Sequence, residues 1–256
     1  FGYQLTFFRR GLQTGTSESS ATFETKNIYM AHFAITDVAQ QDFRAEQRFA
    51  RDGAQLAGAD VNPYARIWLE DWQAEQTGGD DWKLNARGSE YEISLKLEDI
   101  KGIVLQGKDG LSAKGPSNAS YYYSMTRMQT EGEISSKGEV YKVTGQSWMD
   151  HEFSTSALAP DQIGWDWFSI QMDNGEEIML FTLRKLDGTI DPFSGGVLVD
   201  NSGKTTEIKR QDFSLEVTNT WRSPYSQAEY PAGWRLSIPE MDIQVSITPV
   251  LEDQEL

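Results

Sequence analysis

Hydrophobic and polar residues alternate along much of this chain with a period of two. In residues 91–98 the apolar side chains of Ile93, Leu95 and Leu97 alternate with polar or charged ones. Successive side chains of a β-strand point to opposite faces, so the alternation predicts a strand with one buried and one solvated face. The same pattern predicts strands at residues 2–9, 28–35, 65–72, 120–128, 140–149, 165–172 and 177–184.

Turn signals separate these segments. The strongest is Asn174-Gly175, a dipeptide that favours the tight turn of a β-hairpin. After Gly188 the spacing changes, and a second set of strands is predicted at 195–200, 213–217, 234–238 and 243–247. Four strands are too few to close a barrel of about eight. Because the chain also opens without Met and ends just after a strand-like run, we expect both ends to be cuts in a longer protein.

One stretch departs from the strand pattern. Residues 37–59 are rich in Ala and Gln and carry widely spaced apolar side chains. This composition predicts one or two short helices rather than a helical domain. They would serve either as a loop over the mouth of a barrel or as a structural connector.

Composition narrows the classes of function. With 23 basic and 39 acidic residues the chain carries a formal charge of −16, which repels phosphate backbones and argues against nucleic-acid binding. Without cysteine there are neither disulfides nor thiolate metal sites, and the two histidines lack metal-ligand spacing, so no metal and no cofactor is predicted. No apolar run reaches the length of a transmembrane helix.

The two histidines, His32 and His151, are the only candidates for an imidazole acid or base. His32 lies in a strand segment rich in Met and Phe, where a core or interface position is the favoured interpretation. If residues 147–153 are extended, His151 falls on an apolar face and points inward. Asp150 then falls on the opposite face of the same strand.

An imidazole buried without a partner costs about 1–3 kcal/mol, so His151 needs a polar neighbour. Asp166 is the candidate, because alternation places its carboxylate on an otherwise apolar face. If the strands flanking residues 154–163 pair with Phe153 opposite Gly164, His151 falls opposite Asp166. The sequence thus predicts a His151–Asp166 dyad, which is either functional or a structural hydrogen bond. The third alternative is that the two side chains make no contact.

Large aromatic side chains on strands either line a cavity for an apolar ligand or pack in the core. Arginines beside them are either anchors for a carboxylate or partners in surface ion pairs. The candidate ligand-binding residues are Trp148, Phe153, Trp165, Trp167, Tyr122, Arg127, Arg184 and His32. The candidate catalytic residues are His151, Asp166 and Asp150.

Four motifs in order resemble one known family: FGYQLTFFR at 1–9, YYYSMTR at 121–127, GQSWMDHEF at 145–153 and GWDWF at 164–168. Over essentially its whole length the chain resembles AttH-type proteins, which are related to carotenoid hydratases (hydroxyneurosporene synthases). The resemblance implies an all-β fold of two consecutive lipocalin-like antiparallel β-barrels. We place them at residues 1–188 and 189–256, the second being incomplete. It also implies a bacterial periplasmic or secreted protein, an ABC transporter as partner, and the label of a secreted hydrolase.

Carotenoid hydratases add water to a carbon–carbon double bond by protonating an apolar polyene, and their Asp-His pair resembles Asp150-His151. They tend to carry Asn-Trp where this chain has Glu152-Phe153, which replaces an indole by a phenyl ring that stabilises a cation less well. Our first hypothesis is a secreted lipocalin-like protein with a hydrophobic cavity. In it His151, supported by Asp150 or Asp166, acts as general acid on an isoprenoid or lipid-like substrate. The alternatives are a non-catalytic carrier that hands an apolar ligand to a transporter, and a structural module of an envelope complex.

Overall fold

The computed structural model describes residues 1–12, 25–154 and 158–255. Regular structure in these residues consists of β-strands and two 3-10 turns, at Arg210–Asp212 and Pro239–Met241. The strands are β1 Gly2–Gly11, β2 Asn27–Asp37, β3 Asp42–Arg51, β4 Ala57–Asp60, β5 Arg66–Leu69, β6 Trp72–Gly78, β7 Asp81–Arg87, β8 Tyr91–Asp99, β9 Ile103–Leu105, β10 Leu111–Ala113, β11 Ala119–Ser136, β12 Glu139–Phe153, β13 Gln162–Gln171, β14 Glu177–Lys185, β15 Gly195–Val199, β16 Thr205–Lys209, β17 Ser214–Arg222, β18 Glu229–Ile238 and β19 Ile243–Ile247. The predicted all-β class is confirmed. No helix in this part of the chain is long and apolar enough to span a bilayer.

Two compact units make up the chain. The first comprises Phe1–Glu98, Thr130–Gly145 and Val250–Leu256, and the second comprises Asp99–Gln129 and Gln146–Pro249. The long strands β11 and β12 contribute to both units. The boundary predicted after Gly188 lies inside the second unit, between the directly paired strands β14 and β15. The boundary between two barrels after residue 188 remains a prediction.

The core of the first unit is built on one face of β2. Strands β1, β2 and β3 form an antiparallel sheet, and β4 to β8 follow one another in a second sheet. Tyr29, Phe33 and Ile35 of β2 are buried, as the alternation predicts. The ring of Phe33 lies 5.6 Å from that of Trp72 and 4.8 Å from that of Tyr91. These aromatic contacts join the two sheets of this unit.

The short helices predicted within residues 37–59 are wrong, because this stretch contains strands β3 and β4. Strand β3 pairs with β2 along its whole length, from Asp42 opposite Asp37 to Arg51 opposite Ile28. Hydrogen bonds to a neighbouring strand outweigh the weak helix preference of Ala and Gln.

Two turns test the strand boundaries predicted from the sequence. The single strand predicted at 65–72 is instead the hairpin of β5 and β6, which turns at Glu70 with φ of 57°. A non-glycine residue in the left-handed region carries little sequence signal. By contrast, the hairpin predicted at Asn174-Gly175 is confirmed, with Gly175 at φ of 86° between β13 and β14.

In the second unit, strand β14 buries residues on both of its faces. β13 to β16 form one sheet, β17 to β19 form another, and β9, β10 and β12 pair with β11. One face of β14 contributes Ile178 and Leu180 to a core that also contains Leu236. The other face presents Met179 to a second apolar cluster, which includes Tyr122 of β11. This second contact determines which face of β11 lies inside.

Candidate active site

Strands β11 and β12 share a polar face beside the second apolar cluster, where the β11 residues are buried whereas Asp150 and Glu152 of β12 reach solvent. On β11, the alternate residues Ser120, Tyr122 and Ser124 are buried, whereas Tyr121 between them is 59% exposed. Tyr122 packs in the apolar cluster of Val104, Met179, Val197 and Val199, against which Trp148 and Phe181 also pack. The β12 residues on the same face as Trp148 are Asp150 and Glu152.

Asp150 lies at the centre of this face and accepts three hydrogen bonds on one oxygen atom. Its Oδ1 accepts hydrogen bonds from the hydroxyl of Tyr122 (2.8 Å), the hydroxyl of Ser124 (2.6 Å) and the indole Nε1 of Trp148 (2.9 Å). All hydrogen bonds that described residues donate to this carboxyl group end on Oδ1. The three donors orient the carboxyl group, and Oδ2 accepts no hydrogen bond from the described residues.

A second layer of donors determines the direction of these hydroxyl groups. Trp167 Nε1 donates to the Tyr122 hydroxyl at 3.2 Å, and Gln106 Nε2 donates to the Ser124 hydroxyl at 2.9 Å. Each hydroxyl thus accepts one bond and has its single proton for Asp150. Gln106 is fully buried, so water does not compete for this bond.

The surroundings raise the pKa of Asp150 above its ordinary value. Although part of its surface reaches solvent, its carboxyl group lies among closely packed protein atoms, and this burial is the largest cause. The nearby charge of Glu152 raises the pKa further, while the donors Ser124, Trp148 and Tyr122 partly lower it. Burial, followed by the charge of Asp150, raises the pKa of Tyr122, which therefore stays a hydrogen-bond donor.

A second polar group follows on the same face. Glu152 Oε1 accepts hydrogen bonds from the hydroxyl of Ser120 and the ammonium group of Lys114. Ser120 is 1% exposed, and the side chain of Lys114 is 19% exposed. The site thus consists of two neighbouring carboxyl groups with different partners, one hydrogen-bonded by neutral groups and the other ion-paired.

The predicted orientation of His151 is wrong, although the predicted alternation is right. His151 is exposed, and its Nδ1 lies 2.7 Å from the hydroxyl of Tyr123. Its ring lies 5.7 Å from that of Phe153, which is 54% exposed and stacks on Tyr121. The face beside the apolar cluster carries the residues on either side of His151, because Tyr122 and Trp148 pack against that cluster.

The predicted strand pairing behind the His151–Asp166 dyad is also wrong. Among the described residues, β12 pairs with β11 and β13 pairs with β14, so the two strands belong to different sheets. Asp166 accepts a hydrogen bond of 3.0 Å from Thr182 and lies 3.7 Å from Arg184, both on β14. The prediction assumed that strands adjacent in sequence pair with each other.

The other predicted residues are dispersed. Trp167 joins the cluster around Asp150, whereas Trp165 is 55% exposed. Arg127 donates to the buried carboxylate of Glu177, which makes it a structural residue. His32 lies in the first unit with its ring 5.3 Å from that of Phe8, and its buried Nε2 has no hydrogen-bond partner there among the described residues.

Five polar residues of the site were not among the candidates predicted from the sequence: Ser120, Ser124, Gln106, Lys114 and Glu152. The available signal was the pair Ser120 and Ser124, each two positions from Tyr122. Such alternation places both serines on one strand face, where they can form a cluster with Asp150. The described residues contain no group of three or more His, Asp or Glu side chains arranged to hold a metal ion.

Comparison with known proteins identifies the family. The AttH-like family model matches residues 1–256, whereas no curated protein matches the chain. The crystal structure of an AttH-like protein from Nitrosomonas europaea is similar with a TM-score of 0.85 and 32% sequence identity, over 99% of this chain and 76% of that chain. Kievitone hydratase from Nectria haematococca has a similar fold, with a TM-score of 0.69 and 14% identity over 90% of this chain and 69% of that one. The predicted lipocalin-like fold is confirmed, and the chain belongs to the AttH-like family.

Proposed function

We propose that this protein binds an apolar, isoprenoid or lipid-like molecule and adds water across one of its carbon–carbon double bonds. The observation that carries the proposal is the carboxyl group of Asp150, whose Oδ1 receives three hydrogen bonds while burial raises its pKa. A carboxyl group with a raised pKa holds its proton at a higher pH than an ordinary aspartic acid does, which suits it to general acid catalysis. The name of kievitone hydratase, which has a similar fold, supports the reaction class.

The reaction needs a proton donor, a stabilised cation and water. Asp150 transfers its Oδ2 proton to one alkene carbon, and the π electrons form the new C–H bond. The neighbouring carbon becomes a carbocation, which the indole faces of Trp148 and Trp167 stabilise; their centroids lie 6.5 Å apart at an interplanar angle of 82°. Water adds to the cation and loses a proton to the Asp150 carboxylate, so alkene and water become an alcohol and the acid is regenerated.

Asp150 replaces His151 as the proposed acid. Adjacent residues of a strand point to opposite faces, so a ligand that contacts Trp148 and Trp167 meets Asp150 and not His151. Secretion and delivery of a ligand to an ABC transporter remain part of the proposal through the family resemblance alone.

Turnover in isotopically labelled water tests this function. Incubation with a panel of isoprenoid polyenes in H₂¹⁸O is expected to yield an alcohol that carries the label, detected by mass spectrometry. Asp150→Asn retains an acceptor for the three donors but has no acidic proton, so it should bind the polyene without converting it. His151→Ala should retain turnover. Binding of the polyenes by the wild type without any labelled product would instead favour the carrier.

A further inference from the structure

We propose that Lys114, Glu152 and Ser120 form a subsite for the hydroxyl group of the ligand, so that the ligand is a neutral hydroxylated amphiphile and not a pure hydrocarbon. This inference rests on the proposed function and names the class of molecule that the site takes. It begins from the position of Glu152, two residues after Asp150 on the same face of β12. A strand rises about 3.3 Å per residue, which places the two carboxyl groups about 7 Å apart.

The backbone of Lys114 and the side chain of Ser120 lie in buried surroundings. Gln162 Nε2 donates to the backbone carbonyl of Lys114 at 2.7 Å and to the carboxylate of Asp191 at 3.1 Å. Gln162 and Asp191 are each 6% exposed, and Ser120 is 1% exposed. The backbone of Lys114 and the hydroxyl group of Ser120 therefore have defined positions, and the partly exposed ion pair of Lys114 and Glu152 is attached to both.

Hydrogen-bonding capacity is left over on both charged groups. The bonds that Glu152 accepts from described residues end on Oε1, which receives Lys114 and Ser120. Oε2 is thereby available as an acceptor. The ammonium group of Lys114 has three N–H donors, of which the one described contact uses a single donor. Glu152 thus offers an acceptor and Lys114 offers a donor, on the same strand face as Trp148 and Asp150.

A hydroxyl group matches this pair better than a charged group does. It accepts a hydrogen bond from Lys114 and donates one to Glu152 Oε2 at the same time. A carboxylate or phosphate group is repelled by the charge of Glu152 and by the protein's net charge of −16. An ammonium group is repelled by the charge of Lys114. A hydrocarbon that covers the pair leaves its polar atoms unpaired, which lowers affinity.

Three probes with one carbon skeleton test the inference: farnesol, farnesene and farnesoic acid. Isothermal titration calorimetry of the wild-type chain should give a Kd for farnesol about tenfold lower than that for farnesene, with the acid no better than farnesene. Glu152→Gln and Lys114→Met should each reduce the preference for farnesol to about threefold or less, because farnesol loses one of its hydrogen-bond partners. Lys142→Met, on an exposed residue of β12, is the matched control and should keep the wild-type preference.

The outcomes separate this inference from the proposed function. Equal binding of farnesol and farnesene by the wild type, or a preference that survives both substitutions, overturns the hydroxyl subsite and leaves apolar binding intact. Tighter binding of farnesoic acid than of farnesol also overturns it and makes Lys114 a carboxylate anchor. If none of the probes binds, apolar ligand binding fails, and the subsite fails with it.

Discussion

The hydroxyl group of Tyr122 donates a hydrogen bond of 2.8 Å to Oδ1 of Asp150. Trp167 Nε1, on β13, donates to the same hydroxyl and so leaves its proton for the carboxyl group. The orientation of one carboxyl group on β12 thus depends on residues of two other strands. An arrangement of this kind lowers the cost of reorganisation during a proton transfer.

Tyr122→Phe should raise the pKa of Asp150 further, because the Tyr122 hydroxyl is one of the donors that favour the charged form. It should also destabilise the protein by about 1–3 kcal/mol, since the indole N–H of Trp167 loses its acceptor. Infrared titration of the carboxyl band gives the pKa, and urea unfolding gives the free energy. Tyr121→Phe, on the exposed face, should change neither quantity; an unchanged titration in Tyr122→Phe would contradict the described hydrogen bond.

The stability of the folded state should decrease with rising pH because of Asp150. Its folded pKa is raised above the ordinary value of 3.8, so the folded protein retains this proton over a range in which the unfolded chain has released it. The stabilisation is present below the unfolded pKa and is lost as the pH rises through the folded pKa. Asp150→Asn should remove this contribution. Urea unfolding of both proteins at pH 4 and pH 7 should show a smaller loss of stability for the variant, and parallel curves would argue against the raised pKa.

Glu177→Gln should be strongly destabilising. Glu177 is fully buried and accepts from both Lys101 and Arg127, whose side chains are 6% and 12% exposed. Removal of its charge leaves two buried cations without a counter-ion, which costs about 3–5 kcal/mol. Chemical denaturation measures the loss. Glu207→Gln, on an exposed residue of β16, should be neutral, and a loss below about 1 kcal/mol in Glu177→Gln would mean that the buried cations find other partners.

Gly196→Ala should disturb the sheet beneath the site. A Cβ atom at Gly196 would lie 1.9 Å from the backbone oxygen of Met179, so β15 would have to move away from β14. Such overpacking costs about 1–3 kcal/mol and should lower the Tm. Gly145→Ala on β12, where a Cβ meets no atom within 4 Å, is the control. Equal Tm values for the two variants would show that β15 adjusts without strain.

Local patterns predicted the elements well where the signal was strong. The alternation around Ile93 predicts β8, and Asn174-Gly175 predicts the hairpin between β13 and β14. Prediction failed where long-range pairing outweighs local preference, as in β3, whose Ala and Gln residues pair with β2. It failed again at Glu70, because a left-handed turn residue other than glycine has no distinctive sequence signal.

The sequence by itself determined that residues 147–153 form a strand, that Asp150 and His151 point in opposite directions, and which family the motifs resemble. Only the tertiary structure decided which direction is inward. Alternation with a period of two separates the side chains into two faces but does not say which face is buried. In this strand both faces carry aromatic and polar side chains, so their composition does not decide it either. Tyr122 and Trp148 pack against the cluster of Met179 and Val197, residues distant in sequence. This contact places the carboxyl group of Asp150 beside Tyr122 and Ser124, and His151 on the opposite face beside Tyr123.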